Sequence, residues 1–302
     1  MQRSRDSFDS PESQLVRLFV QRGSCDTASA EQLVISLVED LRKSAQLQGF
    51  APSLESLLRL RRISLEYVDD LECDGLIQPL GIKYEDGFKM LVKSKCLPRR
   101  TRFTTAHEIC HTLFYEVVPE IKFRNHDVDR TEERLCNIGA AALLIPAGML
   151  KSQVKGAEVS FETLEKLSEL FDVSLEAMFL RLRFLEIWGA ELSTWRLMTG
   201  GKFSLHRLIG GRKAEWTWCE AELLRKAWGT RRPLRGRTYL ECRDSDGCLK
   251  VRAVSYELRR CGDTLQALWS HPSIRRTHPK MPLFEAQESA KIRVGSKKNA
   301  AA

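Results

Sequence analysis

No stretch of this sequence is apolar for long enough to cross a bilayer. A spanning helix needs about 20 largely apolar residues, whereas the longest run, IGAAALLIPAGML at 138–150, has 13 residues and contains Pro146. The first dozen residues, MQRSRDSFDSPE, are polar, and the LVRLFV soon after them is short and broken by Arg17, so no export leader is expected. Cysteine supplies no framework either. Nine Cys is an odd number without tight spacing, in a chain of 302 residues that can bury a core unaided. These absences point to a cytoplasmic protein with reduced thiols and no membrane segment. Histidine is scarce as well, at six residues, so any cluster of it carries information.

Charge is unevenly spread. From Thr194 to the end there are 23 Lys and Arg against 10 Asp and Glu, a balance of +13, while the remainder has 25 against 30, a balance of −5, giving the net +8. All six Trp lie at or after position 188. The shift in charge and aromatic content suggests a boundary near 190, with different partners on either side. Arg225, Lys226, Arg231, Arg232, Arg235 and Arg237 surround Trp228, a composition that suits nucleic-acid contact or an acidic protein partner.

Along the chain, SAEQLVISLVEDLRKSAQLQ (29–48) has the 3–4 apolar spacing of an amphipathic helix, and SLESLLRLRRI follows as a shorter one. ISLEYV, GLIQPLGI and FKMLVK read as strands separated by Asp and Gly turns. RTRFTTAHEICHTLFYEV and TEERLCNIGAAALLI read as helices, the second stopping at Pro146. SFETLEKLSELF and SLEAMFLRLRFLEIW form a further pair with Ser160 and Ser174 as N-caps. Their spacing is that of a helix-turn-helix, yet the second helix offers Leu175, Ala177, Leu180 and Phe184 where a reading helix needs polar side chains. Beyond it, a helix CEAELLRKAW precedes a hairpin turning at Asp246-Gly247.

The string HEICH places His107 and His111 four residues apart. It would arise by accident in roughly one chain in a hundred of this composition. On a helix the two imidazoles leave from one face and can share a cation, and Zn2+ suits two imidazoles plus a carboxylate with one position open. Glu108 is turned by about 100° from His107, where it can serve as a general base instead of a ligand. A third ligand belongs on a second helix downstream, and both Glu132 and Glu133 qualify.

RTRFTTAHEICH followed by EERLCNIGAAALLIP resembles the ImmA/IrrE family of zinc metallo-endopeptidases. Its members read roughly R-x-R-F-T-x-A-H-E-x-x-H, then E-x-x-A-N-x-F-A-A-x-L-L-M-P, and the likeness runs from about residue 30 to 187. The resemblance implies Glu133 as the third ligand, with Glu132 a solvated acid of the first helical turn. It implies an α+β fold: a zincin-like domain of small sheet and active-site helices at 29–153, then a helix-turn-helix-like segment at 154–190. A smaller α/β domain, basic and Trp-rich, is expected at 195–285, with a disordered segment at 1–28 and a flexible tail at 286–302. The family pattern has Gly where this chain has Cys110, Ala at Cys136, Phe at Gly139 and Met at Ile145. By the same resemblance FKMLVK (88–93) is the candidate for the edge strand that a substrate would join, as in zincins generally, with ordinary sheet core as the alternative.

Further site residues are open. Tyr115 and His126 are candidates to stabilise an oxyanion, and Asn137, one turn from Glu133, is a candidate to orient that ligand. Cys242, Cys248, Cys261 and His271 do not have the spacing of a zinc finger. The resemblance implies a cytoplasmic endopeptidase that cuts a protein substrate, a helix-turn-helix repressor, and so switches on transcription in a stress response. The competing expectation is a non-catalytic regulator with a structural metal, whose basic C-terminal domain binds DNA or a protein.

Overall fold

A computed structural model describes residues 27–81, 85–115, 130–209, 218–243 and 249–270. The expected flexible tail lies outside these residues, as does nearly all of the expected N-terminal segment. Helix α1 (Thr27–Ser44) turns Ala30, Val34, Leu37 and Val38 into the core, as its apolar spacing requires. Helix α2 (Glu55–Leu60) is short and leads directly into strand β1 (Ile63–Val68), followed by β2 (Gly75–Pro79) and β3 (Phe88–Lys93).

The sheet order is β1-β3-β2, with β3 parallel to β1 and antiparallel to β2. Alternate residues Phe88, Met90 and Val92 of β3 are buried. FKMLVK is therefore the middle strand, with ladder partners on both sides, and the expectation that it offers a free edge is corrected. Strand order is a non-local property, and the strand that sequence places second lies at one edge. Entry into β3 depends on Gly87, whose φ is +88° and where a Cβ would lie 2.1 Å from the carbonyl oxygen of Arg62.

Helices α3 (Pro98–Tyr115) and α4 (Arg130–Leu144) pack against each other, and α4 also packs on α1. Helix α4 stops before Pro146, after which α5 (Ala147–Gln153) starts in a new direction at 54°. Arg42 and Arg181 donate to the carbonyls of Leu143 and Ile145, setting positive charge at the end of α4. Among the described residues no single helix is long and apolar enough to cross a membrane. The bent pair α4 and α5 could be so only by length and composition. Helices α6 (Phe161–Leu170) and α7 (Leu175–Phe184) begin at Ser160 and Ser174, whose hydroxyls accept from Thr163 N and Ala177 N at 3.1 Å. Met178, Phe179, Arg181 and Leu182 of α7 are buried, and Leu175, Ala177, Leu180 and Phe184 pack against the same core. Little of α7 is left to present to base edges.

The remaining elements are β4 (Ala190–Leu197), β5 (Phe203–Ile209), α8 (Trp218–Trp228), β6 (Leu234–Arg243), β7 (Leu249–Cys261) and β8 (Thr264–Ser270). The sheet order is β5-β4-β8-β7-β6, antiparallel throughout. This part is thus α+β rather than the α/β expected. Strands β6 and β7 pair up to Arg243 and Leu249; the predicted turn at Asp246-Gly247 falls outside the described residues. Helix α8 supplies Leu224 and Ala227 to a second core with Trp195, Leu258 and Trp269.

Composition changes near 190, where β4 begins, but the apolar core does not stop there. Ala190, Leu192, Ile209 and Leu268 belong to the same core as α1, α3 and α4. Polar ties add to it. Buried Glu257 of β7 accepts from the backbone N–H of Phe161 at 2.9 Å and from Arg235 at 2.9 and 3.1 Å. Arg259 pairs with Glu165 and lies 4.0 Å over the Phe161 ring, and Arg207 pairs with Glu176.

Candidate metal centre

Helix α3 is buried on several sides, by α4 and by the first sheet, so its polar residues must find partners inside the fold. Ala106, Ile109, Cys110, Leu113 and Phe114 fill the core, while His107, Glu108 and His111 turn towards α4 and β2. His107 Nε2 and His111 Nε2 lie 3.0 Å apart. Glu133 of α4 reaches both, with Oε2 3.1 Å from His107 Nε2 and Oε1 3.3 Å from His111 Nε2.

These separations fit a metal. Zinc bonds of about 2.0–2.1 Å in tetrahedral array put neighbouring ligand atoms roughly 3.3 Å apart. The charge distribution also fits a cation. Hydrogen bonds from His107 and His111 hold the Glu133 carboxyl well below the usual carboxylate range. Burial alone would lower the His111 imidazole, but Cys136, Glu132 and Glu133 outweigh it and raise it well above its ordinary value. The pocket between these groups favours positive charge.

The second nitrogen of each imidazole is held from behind. His107 Nδ1 lies 3.1 Å from Asn137 Oδ1, and His111 Nδ1 lies 2.8 Å from Glu132 Oε1. A ring that offers Nε2 to a metal carries its proton on Nδ1, so both nitrogens donate to these oxygens. Two expectations are corrected here. Asn137 orients His107, not Glu133. Glu132 is 6% exposed rather than solvated. A rotation of about 100° from Glu133 does carry it away from the shared point, but onto the other edge of the His111 ring. The adjacent acid pair at the start of α4 was the available signal for this.

Glu108 is buried and takes no part in the three-way convergence. Burial pushes its carboxyl up, His107 and His111 pull it down, and Glu133 adds to the rise. It lies under edge strand β2: a Cβ on Gly75 would be 2.9 Å from Glu108 Oε1 and 2.5 Å from Thr104 Cγ2. The missing side chain at Gly75 is what lets β2 approach Glu108, a contact that sequence reasoning did not identify.

A rival donor set, His111, Glu132 and Cys136, also clusters. Cys136 would have to ligate as a thiolate, yet burial pushes its thiol to about 11. All three of its members are also buried, leaving no room for a reacting ligand. Cys110 serves packing: a Cβ on Gly139 would meet its Sγ at 2.8 Å and Val34 Cγ1 at 3.0 Å. The two departures from the family pattern, Gly to Cys at 110 and Phe to Gly at 139, meet at one contact, where sulfur occupies space that a side chain at 139 would need. The side chain of Tyr115, and all of His126, lie outside the described residues. Cys248, His271 and the Cys242 side chain do too, and Cys261 Sγ lies 3.4 Å from Gln266 Oε1.

Residues 81–183 match the peptidase M78 family, described as the IrrE N-terminal-like domain. A radiation response metalloprotease IrrE from Deinococcus deserti is 33% identical over 117 residues, 37% of this chain and 40% of the relative. One from Deinococcus radiodurans is 29% identical over 90 residues, 28% of this chain and 27% of the relative. The chain therefore spans well under half the length of the curated relatives it matches. A transcriptional regulator from Mycobacterium tuberculosis is similar in structure at a TM-score of 0.49 and 15% identity, covering 87% of this chain and 94% of that one.

Proposed function

We propose that this chain, whose residues 81–183 carry an ImmA/IrrE-family domain, is a zinc-dependent endopeptidase. The observation that carries the reading is the meeting of His107 Nε2, His111 Nε2 and the Glu133 carboxylate, with buried Glu108 alongside and uncommitted to the convergence. A structural metal needs no base beside it, and a hydrolytic one does. That the Deinococcus relatives are named radiation response metalloproteases agrees with it.

His107, His111 and Glu133 would hold the zinc. Zinc held there would polarise a substrate carbonyl and bring the pKa of a bound water down towards neutrality. Glu108 takes the proton of the attacking water and returns it to the leaving amine, a duty that its raised carboxyl suits because it then titrates closer to neutrality. Glu132 and Asn137 fix the ring orientation of the two histidines throughout. Among the described strands β2 is the one at the sheet edge beside Glu108.

The substrate class we infer is a protein regulator, a helix-turn-helix repressor whose cleavage releases transcription in a stress response. The test is incubation of the zinc-loaded chain with candidate repressors. Cutting at a single bond, lost on chelation and in Glu108→Gln, is the expected result. A chain that holds zinc at this site yet cuts none of them, nor any unfolded protein, would sink the reading and leave a regulator with a structural metal.

A further inference from the structure

A cavity of about 810 Å³ opens between the first turns of α3, the middle of α4, helix α7 and strand β5. Its walls are mainly apolar, with Phe103, Ile138, Ala141, Leu180 and Phe184 contributing. A space of this size at the junction of several structural parts, with few converging polar groups, has the character of a small-molecule site.

Its charges do not cancel. Arg99 lies 3.3 Å from Asp172, and Arg207 pairs with Glu176, which accounts for both carboxylates in the lining. Arg100 is taken by Asp74, at 2.6 Å. Arg181 remains. It is 2% exposed and its Nε donates to Ile145 O at 3.0 Å. Among the described residues no carboxylate lies within 4.0 Å of it. Burial drags its guanidinium down to about 10, and the more distant Glu39 offsets only part of that fall. A buried cation lining an apolar space is matched by an acid that arrives with an apolar body.

The cavity also touches the metal centre from behind. Asn137 lines it, and Asn137 Oδ1 holds His107 Nδ1, the ring nitrogen turned away from Glu133. An occupant would therefore bear on the orientation of His107 without filling the place where a scissile bond would go.

We propose that this cavity binds a small amphipathic acid, an aliphatic or aromatic body with one carboxylate, and that its occupancy is felt at His107 through Asn137. The carboxylate sits on Arg181 and the body against Phe103, Leu180 and Phe184. The inference does not rest on peptidase activity, because binding and metal affinity are its readouts.

The probe is the apolar anion 1-anilinonaphthalene-8-sulfonate, added to the full zinc-loaded chain. Its fluorescence should saturate at one dye per chain and be displaced by decanoate at a concentration about tenfold or more below that needed with decanol. Ala177→Phe, which fills the cavity from α7, should abolish saturable binding. Arg181→Met should weaken decanoate by about tenfold or more, the value of one hydrogen bond to a charged group, and leave decanol unchanged. Zinc affinity, read by chelator competition, should differ with and without decanoate, and decanoate affinity should change by the same factor when zinc binds. If Arg181→Met does not fold, Ala177→Phe and the acid-against-alcohol comparison still decide. Dye binding untouched by Ala177→Phe, or decanol competing as well as decanoate, would overturn the site. Equal zinc affinities in both conditions would overturn the link to His107.

Discussion

Glu132 Oε1 lies 2.8 Å from His111 Nδ1, on the edge of the imidazole opposite to the one that Glu133 approaches. Neighbouring glutamates on one helix thus face the two nitrogens of one ring, the first as its anchor and the second, beside it, as the proposed ligand.

That division of labour makes the two acids distinguishable by metal content. Glu133→Ala should lose zinc on dialysis. Glu132→Ala should keep a stoichiometry of about one zinc per chain but weaken affinity about 10- to 100-fold, the usual effect of removing a ligand's hydrogen-bond partner. Elemental analysis combined with chelator competition reads both. Full zinc in Glu133→Ala and none in Glu132→Ala would reverse the assignment and favour the set with Cys136.

Glu108→Gln keeps the shape of the side chain and removes the charge that accepts a proton. Zinc content and thermal unfolding should stay near those of the parent, while cleavage falls by at least about 10²-fold, the lower range of general-base catalysis. Near-normal turnover in this variant would show that another group takes the proton.

Gly75→Ala tests the contact between β2 and the active-site helix. Its Cβ would arrive within 2.9 Å of Glu108 Oε1 and 2.5 Å of Thr104 Cγ2, so strand or helix must move. A loss of roughly 1–3 kcal/mol in stability is expected from overpacking, visible as a lower Tm, with cleavage falling further than the loss of folded protein explains. A variant as stable and as active as the parent would mean that β2 does not press on the base.

Gly139→Ala and Cys110→Ala should be strongly coupled, because the new methyl at 139 would fall 2.8 Å from the Cys110 sulfur. Alone, Gly139→Ala should destabilise by about 1–3 kcal/mol. With the sulfur removed, part of that loss should return, giving an interaction of about 0.5 kcal/mol or more in a denaturant double-mutant cycle. Simple additivity would show that Val34, the other close neighbour, sets the limit.

Removal of everything after residue 190 should yield an aggregating or poorly folded product. Composition suggests a boundary near 190, but Ala190, Leu192, Ile209 and Leu268 fill the same core as α1, α3 and α4. Glu257→Ala is the milder version, expected to cost about 1–2 kcal/mol through the lost partner at the start of α6. Light scattering and zinc content of the truncated chain decide. A soluble, zinc-loaded fragment would show that the shared core is dispensable.

What could be read from sequence was local in kind. His107, Glu108 and His111 follow from helical geometry over five residues, and Ser160 and Ser174 from the chemistry of the first turn. The three strands of the first sheet were evident from side-chain type, but their order was not, because nothing in FKMLVK states which neighbours lie beside it. The role of Glu132 required knowing where α4 crosses α3, and that of Gly75 required knowing what lies beneath a strand well before Glu108 in sequence. The five-stranded sheet that begins with β4 was the least legible part. Its strands β4 and β8 meet through pairings as distant as Ala190 with Ser270.

The backbone N–H at the start of α6 is satisfied by Glu257, a residue 96 positions further along the chain. At about 5–20 residues per second of synthesis, that partner emerges roughly 5–20 seconds after Phe161 does. Until then α6 has its own Ser160 cap but lacks the buried acid, and the face later covered by β4 and β8 has no cover. Helices α3 and α4 are thus complete in sequence well before the part that seals them, and the last of the described strands act as the latch of the nascent protein.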